Sequence, residues 1–350
     1  MVKTITIAVD GMGGDHAPYA VVDGLARAKE LCPDITILLY GREDKLTPLV
    51  AKYASLRDCV TIHHTMEVVA SEDKPSQALR RGRKSSMGLA IQAVKEGEAD
   101  IAVSSGNTGA LMALSKFILR TMPGIDRPAL TSPIPTIRGE CVMLDLGANV
   151  ECDAHNLVQF AIMGAAYSRT VLGVRKPTVA LLNVGVEDLK GKDSIRMASE
   201  ILKATPHLPL SFKGFIEGDG IASGEMDVVV ADGFTGNVAL KTAEGTARFV
   251  TTLLGNAFKS SFLSKIGYLL ARQGLKSLKE HLDPNNHNGG VFLGLNGLVV
   301  KSHGGSNAEG FCAAVTAARD MALNDINTSI HDDLSEMSAA GDLETRRDAS

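Results

Sequence analysis

The stretch ITIAVDGMGGDHAPYAVVDG, residues 5–24, passes from a short apolar run through a glycine-rich turn into a helical pattern. Gly13 and Gly14 permit positive φ angles or the close approach of a ligand. Pro18 suits the first turn of a helix. The stretch therefore predicts a strand, a glycine-rich turn and a helix, which together are the basic unit of an α/β fold.

Polar side chains flank this turn. Asp10, Asp15 and His16 can accept hydrogen bonds, orient a phosphate ligand or hold neighbouring loops together. A single histidine more often has a structural role, but His16 lies in a glycine turn directly after a strand. We interpret Asp10, Gly13, Gly14 and His16 as candidate phosphate-binding residues.

The same unit recurs along the chain. Continuous apolar runs alternate with helical patterns, which predicts an α/β protein with a mostly parallel sheet covered on both faces. The further predicted strands are 35–41, 60–65, 100–105, 141–147, 178–185, 227–233 and 298–304, and helical patterns include 19–31, 76–95, 154–172 and 236–254.

Most predicted strands end in small polar residues. Because ligands bind at the carboxyl ends of strands in open α/β sheets, we expect these clusters to gather at one edge and form a site. Asn149 and His303 belong to two of them and are further candidates for phosphate binding. The clusters are 10–11, 104–107, 145–149, 183–185, 232–233 and 302–305.

The stretch DIAVSSGNTGALMAL, residues 100–114, carries a strand into a polar turn and a helix. Unpaired backbone N–H groups and the positive end of the helix dipole would face a ligand here. Ser105, Asn107 and Thr108 add side-chain hydrogen bonds, which favours an anion cradle. The alternative is that Asn107 or Thr108 only caps the helix.

Two later turns carry groups that could stabilise an oxyanion. Lys190 and Lys192 lie in the charged loop NVGVEDLKGKDSIR, residues 183–196, and Asn237 lies at the predicted start of a helix. An ammonium can reach a phosphate or a developing oxyanion, and an amide can bind a carbonyl oxygen. The alternatives are solvated lysines and an asparagine that caps the helix.

Composition excludes several classes of protein. The net charge of −4 gives no general attraction to nucleic acid. The five cysteines show no CxxC or zinc-like spacing, so we expect reduced thiols and no metal. GxSxG and dinucleotide-binding motifs are absent from the sequence. The first residues predict a strand rather than a signal peptide, so we expect a cytoplasmic protein.

Residues 256–282 form an amphipathic, cationic pattern with phenylalanines at helical spacing. Such a helix can lie on an anionic bilayer or pack against a partner subunit.

We expect one domain over residues 1–328, with a helical projection at about 256–288. The polar residues 329–350 predict a disordered tail.

Several motifs together resemble the bacterial phosphate acyltransferase family PlsX. The resemblance runs in order over about residues 4–325, and Val186 stands where the family commonly has a glutamate. The motifs include AVDGMGGDHAP, VSSGNTGALMA, LDLGANVECDAHNLVQFAIMG, LLNVGVEDLKG, DVVVADGFTGNVALKTAEG and GLVVKSHGGSN.

The resemblance implies an enzyme that transfers a fatty acyl group from acyl carrier protein to inorganic phosphate, for phospholipid synthesis. It implies a Rossmann-like α/β/α sandwich, similar to phosphotransacetylases and isocitrate or isopropylmalate dehydrogenases, with a projecting helical hairpin. It also implies a homodimer, peripheral membrane contact, no cofactor, and Lys190 and Asn237 as catalytic residues. Phosphate is itself a nucleophile, so we expect it to attack the thioester directly.

Two other functions remain as alternatives. A decarboxylating dehydrogenase would share the fold, but the arginine set and paired aspartates that it needs are not evident in the sequence. A non-enzymatic membrane scaffold would explain the cationic helix but not the polar strand ends.

The basic run LRRGRKSS contains Arg80, Arg81, Arg83 and Lys84, which are candidates for docking the acidic carrier protein or are simply solvated.

Overall fold

The computed structural model describes residues 4–282 and 288–339. The strands are β1 (Ile5–Asp10), β2 (Ile35–Gly41), β3 (Val60–His64), β4 (Ile101–Ser104), β5 (Ala129–Thr136), β6 (Gly139–Leu144), β7 (Thr178–Leu182), β8 (Ser211–Ile216), β9 (Val228–Val230), β10 (Gly290–Leu293) and β11 (Leu298–Lys301). The helices are α1 (Tyr19–Leu31), α2 (Glu43–Val50), α3 (Pro75–Arg81), α4 (Ser86–Glu96), α5 (Thr108–Leu119), α6 (Ala154–Thr170), α7 (Asp193–Ala204), α8 (Gly233–Lys259), α9 (Phe262–Leu282), α10 (Ala308–Leu323) and α11 (Ile326–Ala339).

These strands form one sheet in the order β3-β2-β1-β4-β11-β10-β5-β6-β9-β7-β8. The strands from β3 to β11 are parallel to one another, and so are those from β6 to β8. Between the two halves, β10 and β5 pair antiparallel with each other and with their outer neighbours. The halves therefore run in opposite directions.

This reversal corrects one expectation from the sequence. The carboxyl ends of β1, β4 and β11 lie at one edge of the sheet, and those of β6, β9 and β7 lie at the opposite edge. The polar strand ends do not all gather at a single edge, because three antiparallel pairings, made by β10 and β5, reverse the strand direction between the halves.

The sequence patterns did not predict β5, β8 and β10. β5 contains Pro133 and Pro135, and proline cannot donate to a β-ladder. Among the described residues, β10 pairs with residues 129–131 of β5 and not with the positions of the two prolines, so neither proline interrupts that ladder. Residues 76–95, predicted as one helix, divide into α3 and α4, because Ser85 caps α4 at the break by accepting from Gly88 N.

Two apolar layers cover the sheet. Along β1, Ile7 and Val9 belong to the layer that contains Phe160 of α6, whereas Ala8 belongs to the layer formed with α4 and α5. This alternation follows from the period of two in a strand, and it gives helices on both faces of the sheet. The α/β/α sandwich predicted from the sequence is confirmed.

A helical hairpin, formed by α8 and α9, leaves the sandwich. Gly233 and Gly236 in the first turns of α8 are buried, whereas apolar side chains farther along the hairpin are exposed. The exposed side chains include Phe249, Leu253, Phe262, Leu263, Leu269 and Leu270. The hairpin begins earlier than the predicted residue 256, and residues 283–287 lie outside the described residues. Within residues 4–282 and 288–339, no helix is long and apolar enough to cross a membrane.

The expectation of disorder from residue 329 is wrong for residues 329–339. These residues belong to α11, whose Ile330, Leu334 and Met337 are buried against the core. Asp333 on the same helix forms an ion pair with Arg169 of α6. The polar composition hid three apolar residues at helical spacing, and residues 340–350 of the predicted tail lie outside the described part of the chain.

Candidate active site

The turns that follow β1, β4 and β11 meet at Gly14. A Cβ atom added at Gly14 would lie 2.8 Å from Ser105 Cβ and 3.1 Å from the Gly304 carbonyl oxygen, and φ at Gly14 is +101°. Asp15 N donates to the Gly304 carbonyl at 2.9 Å. The structure thus joins three of the predicted polar turns into one cluster that needs glycine at its centre.

Asp10 lies beneath this cluster and is almost completely buried. Ser104 Oγ donates to Asp10 Oδ2 at 2.7 Å, and Gly106 N donates to Ser104 Oγ at 3.0 Å. Burial raises the pKa of Asp10, and hydrogen bonds from Ser86 and Ser104 partly oppose the rise. A Cβ atom on Gly13 would lie 2.3 Å from Asp10 Oδ2. Asp10 therefore organises the turns from below.

Lys301, at the end of β11, is a buried lysine that the sequence analysis missed. Its Nζ donates to the Ser105 carbonyl at 3.5 Å and to the Ser302 carbonyl. Burial, followed by the ammonium of Lys241, lowers the pKa of Lys301 to about 8. In the sequence, the buried lysine was indicated only by its position as a single charged residue directly after the apolar strand residues LVV.

His303 faces Lys241, which projects from α8. The two atoms His303 Nε2 and Lys241 Nζ are 3.3 Å apart, while Gly305 N donates to His303 Nδ1 at 3.2 Å. Since Nδ1 accepts, the neutral ring carries its hydrogen on Nε2, toward the ammonium. Partial burial lowers the pKa of His303, and the Lys241 ammonium lowers it further. Two donors thus face one another, an arrangement that favours an anion bound beside both of them.

The turn between β4 and α5 contributes the start of a helix. Asn107 caps α5 by accepting from Ala110 N at 2.9 Å, and its Nδ2 donates to the Ser71 carbonyl at 2.6 Å. These hydrogen bonds agree with the alternative in which Asn107 caps the helix. Thr108 begins α5, where the first N–H groups have no carbonyl within the helix to bind. The buried Ser105 Oγ has no hydrogen-bond partner among the described residues.

His16 follows Asp15 in the turn between β1 and α1. Its side chain is exposed, and its carbonyl accepts from Ala20 N at 3.0 Å near the start of α1. These contacts indicate a surface position at the turn between β1 and α1.

A second group lies at the end of β6, around the buried Asp145. This carboxylate accepts from four backbone N–H groups, including Gly147 N at 3.2 Å and Asn149 N at 2.7 Å. Asn149 Nδ2 donates to Asp145 Oδ2 at 2.9 Å and to the Pro128 carbonyl at 2.7 Å. Both amide hydrogens of Asn149 are therefore bound within the protein, and this residue shapes the turn.

Asn237 is exposed on the first turns of α8, beside that turn. A Cβ atom on Gly147 would lie 3.5 Å from Asn237 Cγ, and one on Gly236 would lie 2.0 Å from the Asp145 carbonyl oxygen. The N-cap of α8 is Asp232, whose Oδ1 accepts from Thr235 N at 2.7 Å. The structure therefore excludes the alternative that Asn237 caps the helix, and it leaves the amide exposed.

Lys190 lies on the loop between β7 and α7 with an exposed side chain. Asn183 Nδ2 donates to the Lys190 carbonyl at 3.1 Å and fixes the backbone of the loop. Two residues on, Lys192 Nζ lies 2.9 Å from Asp232 Oδ2. The ion pair holds this loop beside the start of α8, the helix that carries Asn237.

The first turns of α8 connect the two groups. Asn237 and Lys241 are four residues apart on one helix and therefore lie on the same face. Asn237 lies beside the turn after β6, and Lys241 reaches the turn after β11. The helix thus brings together residues that follow oppositely directed strands. In the part of the chain that the structure describes, no group of histidine, cysteine and acidic side chains could hold a metal ion.

Comparison with solved structures gives the class of fold. A phosphotransacetylase from Streptococcus pyogenes is similar with a TM-score of 0.62 at 18% identity, covering 92% of this chain and 95% of that chain. This likeness confirms the predicted phosphotransacetylase-like fold.

Comparison of sequences identifies the family. The model of the fatty acid synthesis protein family matches residues 5–329. The phosphate acyltransferase of Rhodospirillum centenum is 54% identical over 340 residues, covering 97% of this chain and 96% of the relative. That of Parvibaculum lavamentivorans is 55% identical over 339 residues, covering 97% and 94%. The chain belongs to the phosphate acyltransferase family, PlsX, and is an acyltransferase.

Proposed function

We propose that the protein transfers a fatty acyl group from the thioester of acyl carrier protein to inorganic phosphate, forming acyl phosphate for phospholipid synthesis. The observation that carries the proposal is the pair of donors formed by Lys241 and His303, beside the glycine turns at Gly14 and Gly304. The relatives named phosphate acyltransferase support acyl transfer to phosphate.

Phosphate suits this cluster because several of its groups donate, and the exposed carboxylate of Asp15, near Gly305, is the acidic group beside them. Lys241 and the neutral ring of His303 supply side-chain donors, and the start of α5 at Thr108 supplies backbone N–H groups and a positive dipole end. Charge-assisted hydrogen bonds of this kind are shorter and stronger than neutral ones. The buried carboxylate of Asp10 binds the turns above it, where it accepts from Ser104 Oγ and Met12 N.

The reaction is a single displacement. A phosphate oxygen forms a bond to the thioester carbonyl carbon, and the carbonyl oxygen becomes an oxyanion. The intermediate then breaks its carbon–sulfur bond, and the leaving thiolate takes the proton from the attacking phosphate. Asn237 and Lys190 donate to the oxyanion, whose stabilisation by one such donor is worth about 3 kcal/mol. Holding both reactants in line lowers the barrier further.

The cysteines support a reaction without an acylated enzyme. Burial raises the pKa of Cys141 and of Cys152 to about 12. A thiol is a strong nucleophile only as the thiolate, and these two remain protonated near neutral pH. The remaining cysteines, Cys32, Cys59 and Cys312, are buried, and burial raises the pKa of each.

The hairpin supports a proposal about assembly and location. Phe262, Leu263 and Leu270 are each more than three-quarters exposed, which is costly for a surface that contacts only water. We assign this hairpin to a homodimer interface, to peripheral contact with an anionic membrane, or to both, in a cytoplasmic enzyme. Liposome flotation and sedimentation equilibrium of the wild type and of Leu270→Ser distinguish the two.

The test of the reaction measures two products. Purified protein is mixed with acyl carrier protein bearing a long acyl chain and with radiolabelled phosphate. We expect phosphate-dependent release of free thiol and an equal amount of label in a lipid-extractable product. NAD or NADP reduction with a hydroxy acid would instead support the dehydrogenase alternative, and thiol release without phosphate would overturn the proposal.

The residue assignments have a separate test. Lys190→Ala and Asn237→Ala should each lower kcat by about a hundredfold, the usual effect of removing one oxyanion donor. Both residues are exposed, so melting temperatures should stay near that of the wild type. Asn149→Ala serves as the contrasting variant. The buried amide of Asn149 donates to Asp145 and to the Pro128 carbonyl, so removing it should lower the melting temperature. Near wild-type turnover in both alanine variants would dismiss the assignment.

A further inference from the structure

Exposed basic side chains form one surface beside α3 and at the end of α5. We call Arg80, Arg81, Arg83, Lys84 and Arg120 the basic surface; all five side chains are exposed. Within residues 4–282 and 288–339, none of the five forms an ion pair. Five cations without acidic partners produce a positive potential that attracts an acidic partner.

Two of these arginines are ordered by an aromatic ring. Arg83 Cζ lies 4.1 Å from the centroid of the Phe117 ring, and Arg120 Cζ lies 5.4 Å from it. Phe117 is itself 36% exposed. Cation–π contacts hold the guanidinium groups in place, so binding a carboxylate costs less side-chain entropy than at free arginines.

Apolar side chains adjoin the basic surface. Met66 and Val68 are 62% and 42% exposed on the loop before α3. This loop is fixed to the basic segment, since Thr65 Oγ1 donates to the Lys84 carbonyl at 2.7 Å. A surface of this kind fits a protein that presents both acidic and apolar side chains.

The basic surface lies along one wall of the site. Pro75 Cγ, at the start of α3, lies 3.1 Å from the position that a Cβ on Gly109 of α5 would take. Just after α3, a Cβ on Gly82 would lie 3.3 Å from Leu114 Cδ1 of α5. Helix α3 therefore runs beside α5, from the candidate phosphate site toward Phe117. Phe117 is nine positions after Thr108 on α5, a rise of about 13 Å along the helix. A thioester on a long flexible arm could cross this distance.

We propose that the basic surface docks the acidic carrier protein whose arm delivers the acyl group to the site. This inference rests on the proposed function, and it adds where the donor binds. The adjacent Met66 and Val68 favour a protein over a nucleic acid. The exposed apolar hairpin, rather than this surface, has the side chains suited to lipid.

The experiment compares donors in two charge-reversal variants. Arg80→Glu combined with Arg83→Glu alters the basic surface, and Arg175→Glu combined with Lys176→Glu is the matched control at exposed positions before β7. With acyl carrier protein as donor, we expect the first variant to raise KM by about tenfold or more, because electrostatic complementarity governs encounter. The same acyl group on a short pantetheine thioester should react at the wild-type rate in both variants.

Salt provides a second measurement. Raising the ionic strength should increase the wild-type KM for the carrier protein and reduce the difference between wild type and variant. The milder variant Arg80→Gln with Arg83→Gln should give an intermediate KM. Melting temperatures of all variants should match that of the wild type.

Three results would overturn the proposal. An unchanged KM for the carrier protein is one, and an equal loss with both donors is another. The third is loss of binding to anionic vesicles or to RNA in the first variant while binding of the carrier protein, measured by calorimetry, is retained. If the wild type releases no thiol from any donor, the proposed function fails, and the calorimetric binding still tests the docking surface.

Discussion

Lys241 Nζ, on α8, lies 3.3 Å from His303 Nε2, in the turn after β11. The two residues belong to elements that follow oppositely directed strands, β9 and β11. Their contact joins α8, the helix that carries Asn237, to the turn after β11. Lys241 also forms an ion pair with Glu244 at 2.9 Å, which helps to hold its side chain on this face of the helix.

Lys241→Met should weaken the binding of phosphate. Removing the ammonium eliminates a charge-assisted contact worth about 1.5–3 kcal/mol, so KM for phosphate should rise roughly ten- to a hundredfold. The pKa of His303 should rise as well, because the Lys241 ammonium now lowers it. Initial rates at varied phosphate and an NMR titration of the His303 ring measure the two effects. The control is Lys265→Met on the exposed hairpin; equal KM values in both variants would contradict the prediction.

The buried Lys301 should make stability depend on pH. Its pKa is about 8 in the folded protein and 10.5 as a model value, so between these two pH values the unfolded chain binds more protons than the folded one. Stability therefore rises with pH in this window. Relative to Lys301→Met, the wild type should gain up to about 3 kcal/mol of unfolding free energy between pH 8 and pH 10.5.

Urea unfolding of both proteins across that pH range provides the measurement. The difference between the two unfolding free energies is the relevant quantity, because it removes titrations that the two proteins share. A difference that is constant with pH would mean that Lys301 keeps an ordinary pKa. Lys301→Arg is a useful third protein, since a guanidinium stays charged and should show no gain in this window.

The strand-end turns show what the sequence could predict. The turns at Gly14, Ser105 and Gly304 were identified as parts of one site, because glycine and small polar residues after apolar runs have a local signature. The buried Lys301 and the contact of Lys241 with His303 could not be predicted, since both depend on which strands become neighbours. The reversal of the sheet depends on β10 and β5, which are short or contain proline and lack a clear pattern.

Local pattern also left the contacts of individual side chains undetermined. Asn149 and Asn107 have the residue type and position expected of ligand-binding groups, yet their amides bind the Pro128 and Ser71 carbonyls. Only the folded neighbours decide whether such an amide faces the protein or the solvent.

Two glycines of α8 should respond oppositely to alanine. A Cβ on Gly236 would lie 2.0 Å from the Asp145 carbonyl oxygen, whereas a Cβ on Gly245 would meet nothing within 4 Å. Gly236→Ala should therefore displace Asn237 and lower the unfolding free energy by about 1–3 kcal/mol. Gly245→Ala should raise it by up to about 1 kcal/mol, because alanine favours a helix over glycine. Chemical denaturation and kcat measure both effects, and similar stability of the two variants would refute this packing.

Helix α11 should contribute to stability as part of the domain. Leu334 is 3% exposed, so Leu334→Ala should lower the unfolding free energy by about 2–5 kcal/mol through lost burial and the cavity left behind. Glu336→Ala, at an exposed position of the same helix, should change it by less than about 0.5 kcal/mol. Urea unfolding followed by circular dichroism separates the two variants. If Leu334→Ala matched Glu336→Ala, residues 329–339 would behave as the detached tail that their polar composition predicts, and the packing of α11 against α6 would not hold in solution.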